Sequence, residues 1–171
     1  AKRIREGQGS ATPAFLWADE AHHFLTKADA LFQSTARSAR VGTVYLTQNL
    51  PGMFAAIGEH ATHSLLGSLQ TKVFHTNGDA ETNHWAERVI GTAHTPTQSI
   101  NVGFSGSREG MSGSFQESRE PVVPAIRFTR LRKAAPKQTS EAIVFHPGVR
   151  WGGLGGSHVL ATFPPPDQDS V

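Results

Sequence analysis

The sequence contains no cysteine, and this absence excludes two classes of site. None of its 171 residues is a cysteine, so it can form neither a disulfide framework nor a thiolate metal site. No apolar run approaches the roughly 20 residues of a membrane-spanning helix, and the first residues lack the apolar core of a signal peptide. The 16 lysines and arginines nearly balance the 14 aspartates and glutamates. No overall basic field therefore argues for nucleic-acid binding.

The sequence also lacks a phosphate-binding loop of the GxxxxGK[ST] type. Its Gly7–Ser10 segment has neither the spacing nor the lysine of such a loop, whose backbone amides and lysine hold the phosphates of a nucleotide. The chain does not begin with Met, and we expect it to be a piece of a longer protein. Alone, it is expected neither to bind ATP tightly nor to hydrolyse it.

The sequence does contain a short apolar run that is followed by two carboxylates. Residues Ala14–Ala18 are all apolar, and Asp19 and Glu20 follow directly. Such a run predicts a fully buried parallel strand, and open α/β sheets bind ligands at the carboxyl ends of their strands. In a P-loop ATPase, the aspartate at this position holds Mg²⁺ through its water shell and the glutamate polarises the attacking water. Taken alone, the segment fits an ordinary surface turn equally well.

A second strand is predicted to end beside the first. Residues 25–40 have a helical period and Gly42 is expected to end the helix. Residues 43–47 are β-branched or apolar and predict a strand with Gln48 at its carboxyl end. A right-handed crossover would make the two strands parallel neighbours. Gln48 is then expected to hydrogen-bond a γ-phosphate or the attacking water, although it also suits the opening of a turn.

The rest of the chain continues the alternation of strands and helices. We predict an α/β fold with a mostly parallel sheet, helices on both faces and extra C-terminal strands. The predicted organisation is a basic and Gly/Ser-rich lead-in at 1–13, one domain at 14–163 with a loop-rich part at 92–124, and a disordered Pro-rich tail at 164–171. The further predicted elements are a strand at 71–75, a helix from the N-cap Asp79 to Gly91, a strand at 100–104 followed by a mobile hairpin or loop at 103–113, a short helical segment at 125–131, and strands at 141–146 and 158–163.

Two histidines follow the carboxylates and raise two other interpretations. Asp19 to His22 spell DEAH, the motif II of one helicase superfamily. In those helicases a Ser-Ala-Thr motif follows about thirty residues later and a Gln-Arg-x-Gly-Arg motif comes after it, but the corresponding strand here ends in Leu46-Thr47-Gln48 and neither motif follows. A metal site at His22 and His23 is a weak prediction. Adjacent side chains are expected to point apart, and zinc-binding pairs normally keep a helical spacing.

In this order, the elements resemble the C-terminal half of the motor domain of TraG/TraD-like coupling proteins of type IV secretion. The resemblance covers about residues 14–91 and depends on four features together. These are Phe15–Glu20, similar to the Walker B motif of the family; Ala36–Gly42, similar to a helix-ending Arg-Gly segment; Val44–Gln48, similar to a strand that ends in Gln; and Thr71–Phe74 followed by Asp79–Thr82 and Gly91.

The resemblance implies a partial RecA-like P-loop core of the FtsK/HerA type that uses ATP and Mg²⁺. It implies Asp19 as metal ligand, Glu20 and Gln48 as catalytic residues, and Arg37 as a finger that reaches the nucleotide of a neighbouring subunit, with Arg40 as its rival. It further implies a homo-hexamer on the cytoplasmic face of the bacterial inner membrane, anchored by upstream segments. Single- or double-stranded DNA and relaxosome or secretion-system proteins would be its partners.

One alternative function belongs to a different class. The chain can be an inert recognition module that uses an ATPase-like core to bind a relaxosome or effector protein. In that case Asp19 and Glu20 would be replaceable without loss of transfer, whereas an ATPase requires Glu20 for hydrolysis.

Overall fold

The computed structural model describes residues 12–105, 108–151 and 156–165, within which it has seven strands, five α-helices and one 3-10 helix. No helix in these ranges is long and apolar enough to cross a membrane. The strands are β1 (Ala14–Ala18), β2 (Val41–Tyr45), β3 (Lys72–Phe74), β4 (Thr92–Ser105), β5 (Arg108–Pro121), β6 (Ser140–Phe145) and β7 (His158–Phe163). The helices are α1 (Lys27–Ala36), α2 (Leu50–Ile57), α3 (Glu59–Ser68), α4 (Ala80–Ile90) and α5 (Ile126–Thr129), with the 3-10 helix at Ala21–His23.

The described strands form three separate sheets. β1 and β2 are parallel, β6 lies between β3 and β7 with antiparallel pairing on both sides, and β4 pairs with β5 in an antiparallel ribbon. The α/β class is therefore as predicted, but the expectation of a mostly parallel sheet is wrong for the described residues. Parallel pairing needs a crossover connection, which α1 supplies between β1 and β2, whereas antiparallel neighbours such as β6 and β7 need no crossover.

The segment expected to be rich in loops, 92–124, instead contains the longest strands. β4 and β5 have 14 residues each and are paired from Thr92 opposite Pro121 to Ser105 opposite Arg108. A ribbon of this length extends about 45 Å. Its Gly and Ser content suggested loops, but pairing along the whole ribbon is made by backbone groups, which composition does not report.

Two apolar clusters form the core, and the first of them lies beneath the end of β1. Its buried members come from the turn after β1 and from α2 and α3, so this turn rests on packed side chains. The buried residues of the first cluster are Ala18, Ala21, Leu25, Leu50, Met53, Ile57 and Leu65. Those of the second are Ala86, Ile90, Val123, Phe128, Leu131, Ile143 and Phe145.

The prediction that β1 is fully buried is wrong for the described residues. Ala18 is buried, but Phe15 and Trp17 are 76% and 69% exposed. Alternate residues of a strand share a face, so these two aromatic rings lie on one open face of β1. The reason is that β1 pairs only with β2 and no other described element covers this face.

Gly42 lies within β2 rather than ending the preceding helix as predicted. A Cβ atom built on Gly42 would lie 2.8 Å from two ring carbons of Phe15, closer than carbon atoms pack. Glycine is therefore the residue that lets the Phe15 ring lie flat across β2.

The phenol of Tyr45 generates a stability prediction. Its hydroxyl is shielded from solvent and has no hydrogen-bond partner among the residues that the structure describes, and burial together with the charge of Asp29 raises its pKa. A buried hydroxyl without a partner is destabilising, so we expect Tyr45→Phe to increase the free energy of unfolding by about 1 kcal/mol. Urea denaturation followed by circular dichroism measures the change. A loss of stability would show that this hydroxyl has a partner.

Candidate active site

The turn after β1 has an unusual backbone conformation that sets the directions of its side chains. Glu20 is in the left-handed region, with φ 48° and ψ 45°, which is uncommon for a residue other than glycine. Its N–H donates to Oδ1 of Asp19 at 3.0 Å. The 3-10 helix Ala21–His23 begins immediately afterwards.

Backbone hydrogen bonds attach this turn to the end of β2. The N–H of Leu46 donates to the carbonyl of Ala18, and the N–H of Ala21 donates to the carbonyl of Leu46, both at 2.8 Å. The parallel ladder thus continues beyond the last residues of both strands. Ala21 is fully buried, so the residue that follows Glu20 is held both by its backbone hydrogen bond and by the packing of its side chain. The carboxyl ends of β1 and β2 meet at one edge, as predicted.

The side chains of Gln48 and Glu20 are in direct contact at this edge. Gln48 donates from Nε2 to Oε1 of Glu20 at 3.0 Å, although 28 residues separate them in the sequence. Asp19 lies beside them with an exposed side chain. The structure therefore brings together three of the predicted site residues, and their roles in catalysis remain predictions.

The two histidines also face this site, contrary to the expectation that their side chains point apart. Their ring centroids are 4.1 Å apart. Nδ1 of His22 lies 3.5 Å from Oε2 of Glu20 and 3.4 Å from the hydroxyl oxygen of Thr47. Glu20, His22 and His23 each offer a ligand atom within 4.8 Å of the other two. The left-handed turn at Glu20 and the tight 3-10 helix bring these neighbours in sequence together.

Asn77 positions Gln48, a contact that the sequence analysis did not predict. Its Nδ2 donates to the carbonyl of Gln48 at 2.8 Å, and its Oδ1 accepts from the N–H of Asp79 at 2.7 Å. The buried side chain of Asn83 donates to the carbonyl of Asn77 at 2.9 Å. The start of α4 thus holds the end of β2. No local pattern reveals this partner, which lies 29 residues away in the sequence.

Asp79 caps α4 as predicted. Its carboxylate accepts from the N–H and the hydroxyl of Thr82, at 2.8 and 2.6 Å. The same Thr82 hydroxyl oxygen accepts from the N–H of Leu50 at 2.9 Å. The cap therefore also fixes the first residue of α2, next to Gln48.

Arg37 and Arg40 lie at the opposite end of β2 from this site. Both line an open cavity of about 460 Å³ beside the start of β2. Arg37 is the C-cap residue of α1. Arg40 has a left-handed backbone conformation, with a φ of 54°. A five-residue strand spans about 16 Å and separates them from Gln48. The structure does not bring either arginine to the Asp19–Glu20 end of the same chain.

The family model described as the TraM recognition site of TraD and TraG matches residues 13–133, which include all five predicted site residues. The chain belongs to this family. The resemblance to TraG/TraD-like coupling proteins is thereby confirmed. No curated protein matches the chain.

Solved structures of the coupling protein TrwB are similar over almost the whole chain. The unbound conjugative coupling protein TrwBdeltaN70 is 17% identical, with a TM-score of 0.63, over 95% of this chain and 34% of that one. TrwB with the non-hydrolysable GTP analogue GDPNP is 18% identical with a TM-score of 0.63, and TrwB with ADP and Mg²⁺ is 17% identical with 0.61. These matches show a shared fold, and the chain spans about a third of each structure.

Replacing Asn77 tests whether it holds Gln48 in place. In Asn77→Ala, we expect amide hydrogens of residues 47–50 to exchange about fivefold faster, since one hydrogen bond of about 1 kcal/mol is lost. Asn77→Asp is the matched control: it retains the acceptor for the N–H of Asp79 but lacks the donor to Gln48. We expect both variants to loosen residues 47–50, and only Asn77→Ala to loosen the start of α4. Unchanged exchange at 47–50 in both would remove this role for Asn77.

Proposed function

We propose that the chain is the C-terminal part of the motor domain of a conjugative coupling ATPase with a RecA-like core, and that it supplies the Walker B half of the nucleotide site. The observation that carries the proposal is the hydrogen bond between Gln48 and Glu20 at the joined carboxyl ends of two parallel strands. Ligands of open α/β sheets bind at this edge. Membership of the TraG/TraD family and similarity to a protein solved with ADP and Mg²⁺ support it.

In this proposal, each polar side chain of the edge has one task. Asp19 offers an exposed carboxylate, the type of ligand that Mg²⁺ prefers, and the ion when bound would neutralise charge on the phosphates. Glu20 accepts the proton of the attacking water. Gln48 donates a hydrogen bond to Oε1 of Glu20 and so fixes the direction of the carboxylate. We propose that the Gln48 amide also hydrogen-bonds the γ-phosphate.

The exposed face of β1 supports the proposal that the rest of the motor packs against this chain and completes the nucleotide site. Phe15 and Trp17 are largely exposed, and burial of one such side chain contributes about 1.5–3 kcal/mol. The sequence also contains no GxxxxGK[ST] loop. We propose that the remaining part of the motor covers this face and supplies the phosphate-binding loop.

Arg37 and Arg40 fit a role toward a neighbouring subunit better than a role in their own chain. Both have exposed side chains, and β2 separates them from the Asp19–Glu20 edge. We propose that one of them, with Arg37 as the first candidate, reaches the nucleotide of the next subunit in a homo-hexamer. Charge stabilisation by such an arginine is a large part of catalysis in related motors.

The family description favours relaxosome recognition as an additional function. The matching model is described as a TraM recognition site, so we propose that a relaxosome protein of this kind binds the chain. We also propose that DNA is the transported substrate and that the motor lies on the cytoplasmic face of the bacterial inner membrane. An inert recognition module remains the alternative, and the two differ in whether Glu20 is needed for transfer.

Replacing Glu20 in the complete motor tests the proposed catalytic role. Glu20→Gln keeps the size of the side chain but removes the base, so we expect ATP hydrolysis to fall at least ~100-fold while ATP binding is retained. Glu59→Gln is the matched control, because Glu59 is an exposed carboxylate whose described contact is His63 on the same helix. A phosphate-release assay measures hydrolysis and a nucleotide-binding assay measures ATP binding, each for both variants. Hydrolysis at the wild-type rate in Glu20→Gln would contradict the proposal.

The 171-residue chain alone provides a second test. It carries Asp19 and Glu20 but no GxxxxGK[ST] loop, so we expect no appreciable ATP hydrolysis and no tight ATP binding. The same two assays apply, with the complete motor as positive control. Appreciable hydrolysis by the pure chain would show that the phosphates are held by residues within it.

A further inference from the structure

We propose that Glu20, His22 and His23 form a binding site for Zn²⁺ or a similar transition-metal ion. Each residue offers a ligand atom, and the three atoms lie within 4.8 Å of one another. One carboxylate and two imidazoles are a common ligand set of zinc sites that keep an open position. No other group of this kind occurs among the residues that the structure describes.

The spacing of the first two ligand atoms suits a tetrahedral ion. Zinc–nitrogen and zinc–oxygen distances of about 2.0–2.2 Å place two ligand atoms of a tetrahedral ion about 3.3–3.6 Å apart. Oε2 of Glu20 and Nδ1 of His22 are 3.5 Å apart. This separation is too long for a good hydrogen bond, and the contact of Nδ1 with the hydroxyl oxygen of Thr47, at 3.4 Å, is equally long. Nδ1 therefore has no strong competing partner among these groups.

The carboxylate is already oriented for this role. Gln48 holds Oε1 of Glu20, whereas Oε2 is shielded from solvent and has no hydrogen-bond partner within the described part of the chain, although the side chain as a whole is 45% exposed. A shielded carboxylate oxygen without a partner is unfavourable, and a bound cation would satisfy it. The buried Ala21 fixes the backbone between the two ligands.

His23 can complete the site with a small movement. Its side chain is exposed and its described ring contact is His22, so a change of rotamer displaces no packed side chain. A fourth coordination position then remains for water or a phosphate oxygen. Imidazole ligands select zinc, copper or nickel over Mg²⁺, so this site is distinct in chemistry from the one proposed at Asp19.

If Glu20 is the catalytic base, occupation of this site would regulate the motor, and this part rests on the proposed function. A metal ion on Oε2 withdraws the carboxylate from the attacking water. Zn²⁺ is then an inhibitor of ATP hydrolysis that acts without displacing nucleotide.

The binding test uses the 171-residue chain without nucleotide. Titration with Zn²⁺ by calorimetry, and with Co²⁺ by visible absorption, is expected to show one saturable ion and the absorption bands of tetrahedral Co²⁺. His22→Ala and His23→Ala should each weaken binding at least ~10-fold. His84→Ala, which removes an exposed histidine of α4, is the matched control and should bind as wild type. Circular dichroism checks that each variant folds. Absence of saturable binding, or undiminished binding in both His22→Ala and His23→Ala, would overturn the proposal.

The regulatory test uses the complete motor. Zn²⁺ is expected to inhibit ATP hydrolysis, and His23→Ala is expected to relieve that inhibition without changing the rate in its absence. Inhibition that persists undiminished in His23→Ala would overturn the regulatory role. Failure of metal binding leaves the Glu20→Gln prediction intact, and full hydrolysis by Glu20→Gln leaves the metal titration intact, so the two proposals fail separately.

Discussion

The candidate site depends on two backbone hydrogen bonds that extend the ladder of β1 and β2 past their last residues. They run from Leu46 to Ala18 and from Ala21 to Leu46. Without them, the left-handed turn at Glu20 would have no fixed position relative to Gln48, and neither the Glu20–Gln48 contact nor the approach of His22 would follow. The buried Ala21 belongs to the first apolar cluster, and its packing holds the turn in place. Precise placement of side chains requires rigid backbone of this kind.

The exposed aromatic face of β1 and the missing phosphate loop have one explanation. A continuously apolar strand is typical of a sheet that is covered on both faces, yet Phe15 and Trp17 are open in this chain. The chain spans about a third of the similar TrwB structures. We therefore propose that the same absent part of the motor covers the strand and holds the phosphates, so that folding of the interface and assembly of the nucleotide site are coupled.

Local patterns predicted the elements well where a single physical signal dominates. The Asp79 cap, the parallel pairing of β1 with β2 and the meeting of their ends follow from capping and crossover rules. The β4–β5 ribbon was predicted only in part: alternation indicated a strand at 100–104 and a hairpin or loop at 103–113, whereas the pairing extends over 92–121. The bond from Asn77 to Gln48 and the clustering of Glu20 with both histidines were also missed. They depend on contacts distant in sequence or on one left-handed residue, which composition and period do not reveal.

The most direct measurement is a structure of the complete motor with a non-hydrolysable ATP analogue and Mg²⁺. We expect the Glu20 carboxylate to lie one water molecule away from the γ-phosphate, with Asp19 beside the metal ion's water shell. Trp17 should be buried against the rest of the motor. A nucleotide bound elsewhere, with Asp19 and Glu20 facing open solvent, would contradict the central claim.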